Sequence, residues 1–386
     1  MHSHKARFEF QGKGDLAELL SRLDFIRPFD EQIGPWRRWA GEEGVTDHIE
    51  YPDHPANYRA GDALVDAVNT AIAIGKPLLL TGNPGTGKSQ LAERIAWEFN
   101  LSPVLRFEAQ SLSEANDLFY RFDLVGHLAA VRLYQTAVNA AIESELTQHL
   151  RSKPRETLPE NFVKMGPLGE AILRSRPRDY PKLFEAAFSP EKVEQAIARP
   201  SVVLIDEIDK ASRDFPNDLL NGIDRLEFTV RELGLGTMTV SSELRPIVII
   251  TSNSERDLPP AFLRRCAFFH IDDPKEPELA KIIAQKFFRQ RDSSAGRPPE
   301  LPPFYRELLA RFMEFRDTNP DGLQYRPGTA EIINWTDALL HREVSADADM
   351  RQQLEDLKGT TSTVSKHRDD QENLIRFLEG IYPATI

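Results

Sequence analysis

The sequence predicts an α/β protein in which a parallel central sheet with helices on both faces is followed by a small α-helical domain. Three observations predict it. Apolar strand-like runs alternate with helical runs from Gly61 onward, the order that lays successive strands side by side and parallel. A glycine-rich loop joins the first of those strands to the helix behind it. Beyond Pro274 the spacing of apolar residues is helical.

Residues 1–57 mix short apolar pieces with Pro28, Trp36, Trp39 and Pro52 and carry no chemical motif, so they read as an amino-terminal strap. From Gly61, the series Leu64, Val65, Val68, Ala71, Ile72 has helical spacing. Lys76-Pro-Leu-Leu-Leu-Thr81, bounded by Gly75 and Gly82, reads as a short buried strand. Ser89 to Phe99 is helical again, and Val104-Leu-Arg-Phe107 and Ser201-Val-Val-Leu-Ile205 are further strands. Phe228-Thr-Val-Arg and Met238-Thr-Val-Ser flank Gly234 and Gly236 and predict a hairpin. Arg245-Pro-Ile-Val-Ile-Ile250 is another buried strand, and Phe268-Phe-His-Ile271 is the last. The domain reading is therefore 1–57 strap, 58–274 α/β core and 275–386 helical domain, the last carrying a Pro-rich break from Ser293 to Pro303.

Composition narrows the function classes. A chain of 386 residues, 40% hydrophobic and 28% charged, is long enough for a large core and has the composition of a globular protein. No apolar run approaches the roughly 18 residues of a membrane span. The amino terminus has no signal-peptide stretch and Cys266 has no partner for a disulfide, which together predict a cytoplasmic setting. A net charge of −12 argues against unspecific binding to nucleic acid or anionic membrane by the whole surface. There is no H-E-x-x-H for a metalloprotease, and Cys266 beside Arg265 reads as a small residue at an element boundary.

The chemistry is concentrated at two places. Gly82-Asn83-Pro84-Gly85-Thr86-Gly87-Lys88-Ser89 fits G-x-x-x-x-G-K-[S/T] between a strand and a helix, with Gln90 in the first helical turn. Its glycines let consecutive N–H groups cup phosphates at a helix amino terminus. Lys88 is placed for the β and γ phosphates, and Ser89 offers a hydroxyl to Mg²⁺. A turn that binds nothing would have no need of Lys88 and Ser89 at those two positions. The second place is Val202-Val-Leu-Ile-Asp206-Glu207, an apolar strand with two carboxylates at its carboxyl end, where ligands of open α/β sheets bind. Asp206 is the candidate for the Mg²⁺ shell and Glu207 for polarising the attacking water.

Asp206-Glu-Ile-Asp209-Lys-Ala, the strand ending Ile250-Thr-Ser-Asn253, and Leu258-Pro-Pro-Ala-Phe-Leu-Arg264-Arg265-Cys together resemble AAA+ ATPases. Within them, Tyr58-Arg-Ala-Gly-Asp-Ala-Leu, the hairpin before Asn253 and Arg326-Pro-Gly-Thr-Ala-Glu-Ile-Ile-Asn-Trp335 resemble the MoxR-type (dynein-related) group, over about 57–340. The resemblance implies ATP and Mg²⁺ as ligands, a ring of identical subunits, commonly a hexamer, and a helical lid over the nucleotide. It makes Asn253 a first sensor of the γ phosphate and places a finger for the neighbouring subunit's site at Arg264 or Arg265, with Arg265 preferred. Arg326 resembles a second sensor from the helical domain; an Arg before Pro327 also fits a plain loop charge.

From Lys88 to Asp206 there are 118 residues where two βα steps need roughly 60. The surplus, about 111–200, contains Phe119, Tyr120 and Phe122, a helical run around Leu128 to Ile142, and Phe162-Val-Lys-Met-Gly166-Pro-Leu-Gly169. In MoxR-type relatives an insertion here engages the client, which makes the three aromatics candidate grips, against the plainer reading of core residues. Arg151 to Lys182 carries eight Lys/Arg against four Asp/Glu, an excess that fits a solvated face or an acidic partner. The leading expectation is an ATP-driven, chaperone-like machine acting on a protein partner, by resemblance one with a von Willebrand factor A domain. A nucleic-acid motor or restriction-type NTPase would need a basic pore lining. A nucleotide-gated switch would have no use for Glu207, Asn253 and the arginine pair.

Overall fold

The structure, a computed structural model, describes residues 54–101, 103–142, 157–188, 197–253, 257–288, 299–318 and 322–382. The strap up to residue 53 and the basic residues Arg151, Lys153 and Arg155 lie outside them.

Helix α1 (Asp62–Ile74) buries Leu64, Val68 and Ala71 on one face and ends at Gly75, whose φ of 66° turns the chain out of the helix. Strand β1 (Leu78–Gly82) is buried at every position, as a central parallel strand must be. Helix α2 (Lys88–Glu98) leaves the glycine-rich loop, and β2 (Leu105–Glu108) follows. Next come β3 (Tyr120–Phe122), α3 (Leu124–Ile142), β4 (Val163–Met165), α4 (Pro167–Ser175), α5 (Pro181–Ala187) and β5 (Val202–Asp206). Then α6 (Phe215–Arg225) leads to the hairpin strands β6 (Glu227–Phe228) and β7 (Met238–Thr239), paired antiparallel as predicted. β8 (Ile247–Ser252), the short α7 (Pro260–Leu263) and β9 (Ala267–Ile271) complete the α/β part.

The five-stranded sheet has the order β2-β5-β8-β1-β9, and every pair in it is parallel. Alternate strand residues feed opposite cores, as the two-residue pleat demands. Leu79, Val203, Ile205 and Ile250 join Ile172, Phe215 and Leu219 on one face. Leu78, Leu80, Val202, Leu204 and Ile249 join Leu91, Ile95 and Val68 on the other. With β5, β8 and β1 adjacent, the carboxyl ends carrying Asp206, Ser252 and Gly82 meet at one edge of the sheet.

Strand β8 begins two residues later than the apolar run suggests. Pro246 has no N–H for the ladder, and pairing starts where Ile247 N donates to Ser201 O. It also continues through Thr251 and Ser252, which are polar yet buried.

The stretch 111–200 contains a sheet crossover as well as added structure. Helix α4 packs on β2 and β5 and puts Leu168, Ala171 and Ile172 into the sheet's core. The added part is the β3–β4 hairpin with α3 between its strands, Tyr120 lying opposite Met165 and Phe122 opposite Val163. Of the three aromatics weighed as grips, Phe119 is core, 7% exposed and packed on Phe228 with ring centroids 5.6 Å apart. Tyr120 donates to Glu232, and Phe122 meets His127 edge-on at 5.6 Å.

The carboxyl-terminal part is helical: α8 (Glu276–Phe287), α9 (Pro303–Thr318), α10 (Thr329–His341), α11 (Leu354–Gly359) and α12 (Arg368–Ile381) enclose their own core of Leu308, Phe312, Trp335, Leu374 and Leu378. Trp335 is fully buried, and its Nε1–H donates to Thr360 at 2.9 Å, so its one polar atom is satisfied. Buried Asp370 accepts from the backbone N–H groups of Gln324 and Tyr325 and so holds the loop that presents Arg326. No helix among the described residues is long and apolar enough to cross a membrane.

Candidate nucleotide site

The loop between β1 and α2 owes its shape to its glycines. Gly82, Gly85 and Gly87 have φ of 143°, 81° and 85°, a region closed to most side chains. A Cβ on Gly82 would lie 2.4 Å from the Ile271 carbonyl oxygen on β9. A Cβ on Gly85 would lie 2.8 Å from the Ala330 Cβ, so the helical domain rests directly against the loop. Gly85→Ala is therefore expected to cost about 1–2 kcal/mol in stability through the left-handed φ and to loosen the lid. Thermal unfolding and ATP titration check it, and an unchanged Tm with unchanged affinity would contradict it.

Asn83 Nδ2 donates to Asp273 at 2.9 Å and Thr86 Oγ1 to the Asn83 carbonyl at 2.9 Å, tying the exposed tip of the loop down. The buried Lys88 ammonium donates to the carbonyls of Gly82 at 2.7 Å and Asn83 at 2.9 Å. Burial pulls its pKa down, against the opposing pull of Asp206, Asp209, Glu207 and Asp273. A cation held this way inside a ring of loop amides is placed to exchange two carbonyls for phosphate oxygens. Lys88→Ala is expected to weaken ATP binding by at least about tenfold, the loss of a charge-assisted contact of about 1.5–3 kcal/mol; affinity equal to wild type in a titration would remove this role. Gln90 is exposed in the first turn of α2.

Ser89 Oγ donates to Asp206 Oδ1 at 2.7 Å, which joins the loop to the end of β5. A hydroxyl beside a carboxylate is a hard oxygen pair, and among the described residues no cluster of three or more His, Cys, Asp or Glu could hold a metal alone. That donor set fits Mg²⁺, which takes few protein oxygens and shares its shell with phosphates and water.

Glu207 stands just past β5 with φ 54° and ψ 50°, left-handed for a non-glycine residue. Its Oε1 accepts from Asn253 Nδ2 at 3.3 Å, and its Oε2 pairs with Lys210 Nζ at 2.5 Å. The candidate water-polarising acid and the candidate first sensor are thus in contact. Two residues that sequence reasoning left without a role support them. Buried Asp209 accepts the Asn253 backbone N–H with both oxygens, at 3.2 and 3.3 Å. Buried Thr251 Oγ1 donates to Asp206 Oδ1 and accepts from the Glu207 N–H at 2.9 Å. The available signal was the polar ending Thr251-Ser252-Asn253 on an otherwise apolar strand.

The arginine pair lies elsewhere. Arg265 Nε pairs with Asp224 at 2.5 Å and its Nη1 donates to the Ala261 carbonyl at 3.1 Å. Arg264 is exposed, and among the described residues its guanidinium has no ion pair. Both lie at the amino-terminal end of β9, where the Arg264 carbonyl accepts from Lys76 Nζ at 3.1 Å ahead of β1. The phosphate loop leaves the opposite end of β1, about 16 Å away along a five-residue strand. Arg326 is exposed and pairs with Asp317 at 3.0 Å, two residues before Gly328, which lies against the Pro84 carbonyl. The structure thus gathers Gly82 to Ser89, Asp206, Glu207 and Asn253 into one site. Arg326 borders that site, and Arg264 and Arg265 are apart from it.

No curated protein matches the chain. Residues 78–272, half of the chain, match the family model "ATPase family associated with various cellular activities (AAA)". The match runs from the first residue of β1 to just past the end of β9 and takes in the loop, both acids, Asn253 and the arginine pair. The chain belongs to the AAA family and is a nucleotide-binding P-loop enzyme that hydrolyses ATP.

Proposed function

We propose that this ATPase works as a hexameric ring of identical subunits of MoxR type that uses ATP to remodel a protein partner. The observation that carries the reading is the position of Arg264. It is exposed, without an ion pair among the described residues, and at the end of the sheet opposite its own phosphate loop. An arginine so placed serves a phosphate on another molecule, and an identical neighbour supplies one. Arg265, engaged by Asp224 in the same chain, steadies the turn, so Arg264 takes the finger role.

Each residue then has a task. The loop amides and Lys88 bind and orient the phosphates; Ser89 and Asp206 would hold Mg²⁺, which when bound would supply charge neutralisation. Glu207, held by Asn253, accepts a proton from the attacking water. Arg326 reports lid position through its exchangeable pair with Asp317. Support for a MoxR-type machine comes from the hairpin before β8 and from the added β3–α3–β4 unit. Support for a protein client comes from α3, where Leu124, Val125, Leu128 and Leu133 are exposed and Arg132 is the one Asp, Glu, Lys or Arg. A von Willebrand factor A domain is the client class this reading favours, with nucleic acid disfavoured by the net charge of −12.

Sedimentation of Glu207→Gln protein with and without Mg²⁺ and ATP tests assembly. A discrete ring-sized species that needs ATP is expected. A monomer at every nucleotide and protein concentration would overturn the reading.

A further inference from the structure

We propose that Thr251 is a positioning residue for ATP hydrolysis, one hydroxyl that sets the two acidic residues of the site relative to each other. Thr251 is fully buried at the end of β8, between β5 and β1. Its hydroxyl has one proton and two lone pairs, and the site uses it in both directions. It donates to Asp206 Oδ1, the same oxygen that Ser89 Oγ reaches at 2.7 Å. It accepts the Glu207 backbone N–H at 2.9 Å.

The need for such a bridge follows from the backbone. Pairing with β8 ends at Ile205↔Ile250, so on that side Asp206 and Glu207 lie beyond the ladder, and Asp206 keeps a strand partner only in Glu108 of β2. Glu207 also departs into the left-handed region, which turns its side chain toward Asn253 and leaves its N–H without a sheet partner. Thr251 supplies that partner from the neighbouring strand and anchors the Asp206 carboxylate with the same atom. Because Asp206 Oδ1 receives two hydroxyl protons, its other oxygen is the one left available to a metal or its water. If Ser89 turned to a bound Mg²⁺, Thr251 would still hold the carboxylate. Outer partners of this kind are commonly worth 10- to 100-fold in metal affinity or activity.

The test compares Thr251→Val, which keeps the shape and removes the hydroxyl, with Thr251→Ser, which keeps the hydroxyl. In T251V, kcat is expected to fall about 10- to 100-fold, and the gain in affinity that Mg²⁺ gives a fluorescent ATP analogue should shrink by about tenfold. Affinity for the analogue in EDTA should stay within about twofold, because the loop and Lys88 are untouched. T251S should return both quantities to within about threefold of wild type. Wild-type kcat and Mg²⁺ dependence in T251V would overturn the proposal. So would an equal loss in T251S, which would make the methyl group the part that matters. Amide hydrogen exchange at Glu207 in the wild-type protein reads the same bond without a variant. Protection is expected, and exchange at the rate of a free amide would overturn the bridge even if T251V does not fold.

Discussion

Arg264→Ala is expected to lower turnover of the assembled protein by about 10³-fold or more, the scale of an arginine offered to the transition state of phosphoryl transfer. ATP affinity should remain within about twofold, since the guanidinium stands at the end of the sheet opposite its own chain's phosphate loop. Arg264 leaves α7 at the amino-terminal end of β9, and the phosphate loop leaves the carboxyl-terminal end of β1. Arg265→Ala should behave differently. It breaks the pair with Asp224, both partners partly exposed, and an exposed pair is worth about 0–1 kcal/mol. Its effect on turnover should therefore be smaller than that of Arg264→Ala and matched by Asp224→Asn. Steady-state kinetics beside ATP titration checks both, and equal losses of affinity and turnover in Arg264→Ala would place it in its own chain's site.

Glu207→Gln is the second large effect. Removing the proton acceptor should lower turnover by about 10²- to 10⁴-fold, while the amide remains able to meet Asn253 and keeps the site's shape. ATP binding should persist, because the groups that hold the phosphates are Lys88 and the loop amides. The variant should consequently accumulate as an ATP-bound assembly. Single-turnover hydrolysis with a filter-binding assay checks this, and near wild-type hydrolysis would assign the proton to another group.

Much of this was legible in the sequence because the phosphate loop is local. Eight consecutive residues carry both the backbone freedom and the chemistry, and their position between strand and helix is read from periodicity alone. The sheet was legible for the same reason, each buried strand being a short apolar run closed by glycine, proline or charge. The residues that escaped act across sequence distance. Thr251 meets Asp206 and Glu207 only because β8 lies beside β5, a neighbour relation that strand order creates and composition does not express. Asp209 was visible as part of the acidic motif, but its grip on the Asn253 backbone depends on the turn after Glu207. What distinguishes Arg264 from Arg265 likewise lies far off in sequence, in Asp224, 41 residues before Arg265, which pairs with Arg265. For Phe119 the sequence left grip and core both open, and the core position depends on Gly222 of α6, where a Cβ would fall 2.5 Å from the ring.

The central claim is that each ATP site is completed by an identical neighbour. Its most direct test is the ATPase rate per subunit measured across protein concentration and in mixtures of Arg264→Ala with Glu207→Gln. The account predicts a specific rate that rises as subunits assemble. It also predicts recovered activity in the mixture, because a site with an intact Glu207 from one variant can receive Arg264 from the other. A rate per subunit that is the same at every concentration, together with mixtures no more active than the separate variants, would contradict it.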